Sequence, residues 1–161
     1  MKSDLSNSVP PSARTIGSPT PRLQPAAATV AATQAAGIRI LLVEDHDDTR
    51  RVMEGLLRRD RHAVDGVSTA ADAIQLAEAK TYDLVISDLG LPDQSGVEMM
   101  AQLRDRHGLR GIAVSGYGME DDVARSRKAG FSFHLTKPIR LDRLRAIILQ
   151  VVADRDAAVP N

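Results

Sequence analysis

Residues 38–45 read Ile-Arg-Ile-Leu-Leu-Val-Glu-Asp, a short and nearly continuous apolar run that ends in two carboxylates. An apolar run of this length without alternation is typical of a strand that is buried on both faces. Residues 82–87 have a similar character and are followed by Asp88. Strands of this kind occur in parallel sheets that helices cover on both sides, so the two runs indicate an α/β domain.

Strand and helix patterns alternate along the rest of the chain. Strands are predicted at 38–43, 62–67, 82–87, 111–115 and 131–136. Helices are predicted at about 47–60, 69–80, 95–107, 120–129 and from 141 onward. Five strands that alternate with five helices predict one parallel sheet with helices on both faces.

Several helices have a readable start or a readable apolar face. Thr69 is a plausible N-cap, and Ser95 with Glu98 forms a capping box. The apolar positions expected to face the sheet are Val52, Met53, Leu56 and Leu57 in the first helix, Val123 and Ala124 in the fourth, and Leu144, Ile147, Ile148, Val151 and Val152 in the last.

Chemically active side chains follow four of the five predicted strands. Glu44 and Asp45 end the first strand, Asp88 the third, Ser115 the fourth and Lys137 the fifth. Ligands of parallel α/β sheets bind at the carboxyl ends of the strands, so these five residues should converge. Two carboxylates 4 Å apart repel by about 4 kcal/mol at an effective dielectric of about 20, and a divalent cation removes that cost. With a lysine and a hydroxyl nearby, the set predicts phosphoryl transfer to a carboxylate nucleophile.

Four short motifs occupy these strand ends in a fixed order. They are Leu-Val-Glu-Asp at 42–45, Ser-Asp-Leu-Gly-Leu-Pro at 87–92, Val-Ser-Gly-Tyr at 114–117 and Thr-Lys-Pro at 136–138. Together they make the chain from Ile38 to about Ala153 resemble the receiver domain of two-component response regulators. The resemblance implies a flavodoxin-like, doubly wound five-stranded parallel sheet in the order 2-1-3-4-5. The stretch at 130–138 is similar to receivers attached to hybrid histidine kinases.

The resemblance also implies a phosphorylation site and a metal site. Asp88 corresponds to the phosphoacceptor. Mg²⁺, or Mn²⁺, would be held by Asp45 directly, by Glu44 through a metal-bound water, by Asp88 and by the backbone carbonyl of Gly90. The expected phosphodonor is a histidine kinase or a histidine phosphotransfer protein.

The remaining implied residues surround the phosphoryl group. Ser115 corresponds to the switch hydroxyl, Gly116 to the small residue beside it, and Lys137 to the lysine that precedes a cis proline, here Pro138. The family commonly carries Tyr or Phe three residues before the lysine, whereas this chain has His134. His134 is therefore either a switch residue of another kind or a partly buried structural histidine.

Composition limits the other possibilities. Lys plus Arg equals Asp plus Glu at 21 each, aromatic residues are scarce, and cysteine is absent. We therefore do not expect direct DNA binding, a disulfide framework or a membrane span. We expect a cytoplasmic protein. Residues 1–37 are rich in Pro, Ala, Ser and Thr, which predicts a flexible tail. Residues 154–161 are expected to form a short C-terminal tail. The expected protein is a single-domain regulator or the receiver piece of a hybrid kinase, with an unknown downstream protein target.

Two alternatives belong to other classes. A phosphatase with an aspartyl nucleophile usually has a second Asp two residues further on, where this chain has Gly90. A degenerate receiver that acts without phosphorylation usually lacks an acid or the lysine, and this chain keeps Glu44, Asp45 and Lys137. The protein is therefore expected to be a signalling module and not an enzyme, apart from its own phosphorylation and slow autodephosphorylation.

Overall fold

A computed structural model describes residues 37–116 and 122–157 of the chain. The expected tail at 1–37 lies outside the described residues apart from Gly37, and so do Tyr117 and the expected start of the fourth helix at Glu120. Among the helices described, none is both long and apolar enough to cross a lipid bilayer.

Five parallel strands form one sheet, as the alternating pattern predicted. The strands are β1 (Arg39–Val43), β2 (Ala63–Val67), β3 (Leu84–Asp88), β4 (Gly111–Ser115) and β5 (Phe131–Thr136). Their order across the sheet is β2-β1-β3-β4-β5, which confirms the predicted doubly wound topology. The order reverses between β1 and β3, so the carboxyl ends of these two strands flank the crevice where such folds bind ligands.

Five helices connect the strands and cover both faces of the sheet. They are α1 (Asp47–Arg59), α2 (Ala70–Ala79), α3 (Gly96–His107), α4 (Asp122–Ala129) and α5 (Leu141–Ala157). The Thr69 side chain caps α2 by accepting from the backbone N–H of Asp72. Ser95 caps α3 but accepts from the backbone N–H of Val97 and not from that of Glu98, the residue on which the expected capping box was centred. Helix α5 continues four residues past the boundary expected at Ala153.

The core consists of two apolar layers, one on each side of the sheet. Ile40 and Leu42 of β1 point into the layer formed with α1 and α5. Leu41 and Val43 point into the layer formed with α2 and α3. Successive side chains of a strand alternate between faces, so a strand covered on both sides must be apolar at every position. This explains the unbroken run from which the fold was predicted, and each such side chain contributes about 1.5–3 kcal/mol on burial.

Two expected helix faces differ from the observed ones. Val52 was assigned to the core face of α1, but its side chain is 61% exposed, while Met53 and Leu57 are buried. On α4, Ala124 was expected to face the sheet but is exposed, and the buried residues are Ser126 and Ala129. The prediction failed on α4 because a buried serine looks polar in sequence. Its hydroxyl donates to the carbonyl of Val123 at 2.9 Å, which removes most of the cost of burying it.

Candidate functional site

The strand-end residues singled out from the sequence meet at the carboxyl edge of the sheet. Strand β3 lies between β1 and β4, with Val43 beside Ser87 and Asp88 beside Val114. The backbone N–H of Lys137 donates to the carbonyl of Ser115 at 2.7 Å, which ties the end of β5 to the end of β4. The site is therefore positioned by the paired ends of β1, β3, β4 and β5 and not by one flexible loop.

Lys137 links two of the acids. Its Nζ lies 2.6 Å from Oδ2 of Asp88 and 3.0 Å from Oε2 of Glu44. Burial alone would lower the pKa of Lys137, but its hydrogen bonds with Asp88 and Glu44 and the charges of these two acids raise it. The amine therefore remains a cation at neutral pH and offsets part of the negative charge of the site.

Asp88 is held at both carboxylate oxygens. While Oδ2 binds Lys137, Oδ1 accepts from the backbone N–H of Gly90 at 2.9 Å. The loop after Asp88 then folds back, and the backbone N–H of Gly96 donates to the carbonyl of Leu89 at 3.0 Å. A Cβ on Gly96 would lie 2.3 Å from the carbonyl oxygen of Asp88, so only glycine allows this close approach.

Asp93 anchors the same loop to the neighbouring helix. Its two carboxylate oxygens accept from the backbone N–H groups of Ala70 and Ala71, at 3.0 and 2.8 Å, in the first turn of α2. These bonds, led by the one from Ala70, lower the pKa of Asp93. Because the bonded residues are more than twenty positions apart, the helix pattern gave no sign of this second cap.

The acids at the end of β1 form a cluster with the next residue, His46. Glu44 is buried, whereas Asp45 is partly exposed and His46 exposed. Nδ1 of His46 lies 2.9 Å from Oδ1 of Asp45 and 3.2 Å from Oε1 of Glu44. Burial alone would raise the pKa of Asp45, but the hydrogen bond and charge of His46 lower it. The pKa of His46 is raised, first by its bond to Asp45.

Glu44, Asp45 and His46 are the residues that could share one metal ion in the described part of the chain, since their ligand atoms all lie within 4.8 Å of one another. Carboxylate oxygens suit a hard divalent cation such as Mg²⁺, so the donor set fits the metal expected from the sequence. Asp88 is not in this group, because its carboxylate is directed to Lys137 and Gly90.

Ser115 and His134 form a partly buried contact beside the acids. The Ser115 hydroxyl lies 2.5 Å from Nε2 of His134. A Cβ on Gly116 would meet nothing within 4 Å, so this position leaves open space next to Ser115. The Lys137–Pro138 peptide bond is cis, as the resemblance implied.

Two residues of the site carried no assignment from the sequence. His46 received no role from the sequence because His46, His62 and His107 lack metal-ligand spacing, although its position next to Glu44-Asp45 was a usable signal. Arg50 donates from Nη1 to the carbonyl of Glu44 at 2.7 Å and so fixes the end of β1 from helix α1. Only the fold reveals that contact.

The model of the response regulator receiver domain family matches residues 40–149. The chain belongs to this family. The match extends from β1 to about the middle of α5 and confirms the resemblance read from the four motifs. Receiver domains are signalling modules of two-component systems and not enzymes in their own right. Membership therefore removes the support for the phosphatase alternative.

Several curated proteins are similar to this chain, among them two response regulators and a sensor histidine kinase. Response regulator protein PilR of Pseudomonas aeruginosa is 32% identical over 111 residues, which are 68% of this chain and 25% of that protein. Sensor histidine kinase AruS of the same species is 34% identical over 131 residues, which are 77% of this chain and 13% of AruS. Polar-differentiation response regulator DivK of Brucella ovis is 28% identical over 71% of this chain and 96% of its own length. The chain thus spans only a small part of PilR and AruS.

Solved structures share the receiver fold. A CheY-like receiver domain from Methylobacillus flagellatus is 30% identical, with a TM-score of 0.65 over 72% of this chain and 99% of that one. The receiver domain of Ssk1 from Saccharomyces cerevisiae, solved with the histidine phosphotransfer protein Ypd1, gives a match at 22% identity and a TM-score of 0.69 over 74% of this chain and 92% of that one. The second similarity supports the fold alone.

Proposed function

We propose that this receiver accepts a phosphoryl group on Asp88 from a phosphohistidine donor and then changes a protein-interaction surface. The observation that carries the proposal is the position of Lys137, whose Nζ bonds both to Asp88 and to the buried Glu44. A lysine in this position neutralises charge where a phosphoryl group would arrive. The sheet-edge location and the family membership support the same proposal.

Each residue has a definite part in the transfer. An oxygen of Asp88 attacks phosphorus, the bond from phosphorus to the donor's imidazole nitrogen breaks, and an acyl phosphate forms. The ammonium of Lys137 then leaves its bond with the carboxylate to pair with a phosphoryl oxygen. The Ser115 hydroxyl donates to another phosphoryl oxygen. The backbone N–H of Gly90 keeps the carboxylate oriented, and the open space at Gly116 leaves room for the group.

We assign the divalent cation to Glu44, Asp45 and Asp88, with the Gly90 carbonyl as a further ligand. When bound, the ion would neutralise the acids and the phosphoryl oxygens. The cluster of Glu44 and Asp45 supports this assignment. Slow loss of the phosphoryl group to water would reset the receiver, which is the extent of its own chemistry.

The surface for the phosphodonor is an apolar groove next to the site, which we call the α1 groove. Val52, Leu56, Ile139 and Leu141 line it together with Lys137, and its volume is about 520 Å³. A donor histidine must come within bonding distance of Asp88, so the protein that carries it must cover the surface beside Lys137. We propose that an amphipathic helix of a histidine kinase or histidine phosphotransfer protein packs there. The Ssk1 receiver, which shares the fold, was solved with a histidine phosphotransfer protein, so a domain of this fold can form such a complex.

The output surface is the face formed by α4, β5 and α5. His134 lies on β5, in contact with Ser115 at the site and in a cavity of about 390 Å³ that Arg127 and Arg143 also line. A change at Ser115 would reach this face through His134. We propose a cytoplasmic protein target for it, with residues 38–153 as the signalling unit of a single-domain regulator or of a hybrid kinase.

Phosphorylation by a small-molecule donor tests the proposed function. The purified protein would be incubated with acetyl phosphate and Mg²⁺, and its intact mass would be measured. We expect one added phosphoryl group in the wild type and none in Asp88→Asn or Asp45→Ala. Asp105→Asn, which changes an exposed acid on α3, should behave as the wild type. Labelling of Asp88→Asn at the wild-type level, or labelling that EDTA does not affect, would contradict the proposal.

A further inference from the structure

The metal cluster contains a nitrogen donor that a site for Mg²⁺ does not need. Nδ1 of His46 approaches one oxygen of each neighbouring acid, at 2.9 Å from Asp45 and 3.2 Å from Glu44. The His46 side chain is 72% exposed, so nothing in the core requires the ring to lie over the acids. The ring turns toward the site and contributes a nitrogen donor beside the two carboxylates.

The separations of these donor atoms are those of neighbouring ligands on one ion. Two ligands at about 2.1 Å from a metal and at right angles to each other are about 3.0 Å apart. The two distances measured from Nδ1 lie on either side of this value, and all three donor atoms fall within 4.8 Å. The separations of Nδ1 from the two acid oxygens thus match those of ligands on one cation.

We propose that His46 is a metal ligand and that it directs this site toward divalent first-row metals that accept nitrogen, such as Co²⁺, Ni²⁺ or Zn²⁺, in preference to Mg²⁺. Carboxylate and carbonyl oxygens suit Mg²⁺, whereas an imidazole suits the later transition metals. Glu44 and Asp45 alone would bind either class weakly. The addition of one imidazole raises the affinity for the transition metals and leaves that for Mg²⁺ almost unchanged.

Two features of the chain favour ligation over a merely local hydrogen bond. His46 is the N-cap residue of α1, yet its side chain makes no capping bond to that helix. Its backbone N–H also donates to Oε1 of Glu44 at 3.2 Å, so the acid is already oriented without the ring. The imidazole is therefore available to bind an ion.

The test compares Co²⁺ with Mg²⁺ on the tag-free, metal-free full chain. Binding would be measured by isothermal titration calorimetry at about pH 8, above the ordinary pKa of an imidazole, because the metal must displace the ring proton that the two acids stabilise. We expect His46→Ala to weaken Co²⁺ binding by about tenfold or more and Mg²⁺ binding by less than about threefold. His46→Gln, which can still bond to Asp45, should lose the Co²⁺ preference as well. His107→Ala, which removes an exposed histidine at the end of α3, should bind both metals as the wild type does.

A second readout identifies the ligand directly. When Co²⁺ is added, the ring protons of His46 should show large paramagnetic shifts in the proton NMR spectrum of the wild type, and no such signals should remain in His46→Ala. Equal Co²⁺ affinities for the wild type and His46→Ala would overturn the inference. So would an equal loss for Co²⁺ and Mg²⁺, which would mean that the ring acts only by orienting the acids.

The inference rests on the proposed metal role of Glu44 and Asp45, but the two can fail separately. Mg²⁺-dependent phosphorylation of Asp88, together with equal Co²⁺ affinities for the wild type and His46→Ala, would overturn only the inference. Co²⁺ binding that depends on His46, without Mg²⁺-dependent phosphorylation, would contradict the proposed function and support the inference.

Discussion

The hydroxyl of Ser115 lies 2.5 Å from Nε2 of His134, so the end of β4 is connected to β5 by a short side-chain hydrogen bond. Ser115 is also the hydroxyl expected to donate to a phosphoryl group on Asp88, and a hydroxyl that donates there can no longer donate to Nε2 of His134. We therefore expect phosphorylation to turn the hydroxyl toward Asp88 and to change its hydrogen bond with His134. An aromatic ring at this position would respond through packing, whereas an imidazole responds through its hydrogen bond and its charge.

The first prediction concerns this contact. A beryllofluoride mimic of the phosphoryl group should change the NMR signals of the His134 ring and their dependence on pH, because Ser115 turns away and a negative group arrives nearby. His62, which lies outside the site, serves as the internal control. Its titration curve should be the same with and without the mimic. Identical His134 titration curves with and without the mimic would show that His134 is structural and that the signal uses another element.

A second prediction tests the α1 groove as the donor surface. Val52→Asp should slow phosphotransfer from a phosphorylated histidine phosphotransfer protein by about tenfold, because a charge would enter an apolar interface. Labelling by acetyl phosphate should not change, since this small donor needs no docking surface. Leu149→Asp is the matched control, because Leu149 is 60% exposed and Val52 61%, but Leu149 lies on α5 and does not line the groove. Equal transfer rates for both variants would rule out the groove.

A third prediction concerns the cap that Asp93 provides for α2. Asp93→Ala should lower the free energy of unfolding by about 1–2 kcal/mol, because two backbone N–H groups of the helix lose their acceptor. Asp105→Ala, in an exposed pair with Arg104, should change it by less than about 0.5 kcal/mol. Urea denaturation followed by circular dichroism measures both. Since the pKa of Asp93 is lowered in the folded protein, its contribution should disappear as the pH falls through that lowered value. A contribution that stays constant into acid would contradict this account.

The fourth prediction is a dependence of stability on pH that arises from His62. Burial, the largest cause, lowers the pKa of His62 below its ordinary value of 6.5, and the Asp60 carboxylate offsets this only in part. Nδ1 of His62 accepts from the backbone N–H of Ile38, which an imidazolium cannot do. Between the two pKa values the unfolded chain binds more protons, so stability should fall as the pH drops below about 6.5.

The test for His62 is a comparison with His62→Asn, whose side-chain oxygen can accept the same bond without titrating. Thermal unfolding between pH 7.5 and 5 should show a smaller loss for this variant than for the wild type. Parallel curves for the two proteins would assign the loss to other groups.

The sequence predicted those features that depend on neighbours along the chain or on the side-chain alternation of strands. The uninterrupted apolar positions of β1 predicted a strand covered on both sides, and Thr69 is the cap of α2 as expected. Because parallel strands end at one edge, the order of the motifs was enough to predict that Asp88 and Lys137 lie together.

The features that the sequence missed depend on contacts between distant positions. The cap from Asp93 joins the loop after β3 to the first turn of α2, and only the fold brings these two segments together. Val52 lies at the border of a helix face, where the period of an amphipathic pattern does not decide burial. Helix α4 can bury Ser126 because the serine hydroxyl donates to a carbonyl of the same helix. A count of apolar residues cannot show this.

The most direct measurement of the central claim is the location of the phosphoryl group in the folded chain. The protein would be treated with acetyl phosphate and Mg²⁺, reduced with borohydride to convert an aspartyl phosphate into homoserine, and mapped by peptide mass spectrometry. The account predicts homoserine at position 88 and at no other aspartate, and none when Mg²⁺ is removed with EDTA. An unmodified Asp88 in phosphorylated protein, or homoserine at a different aspartate, would contradict it.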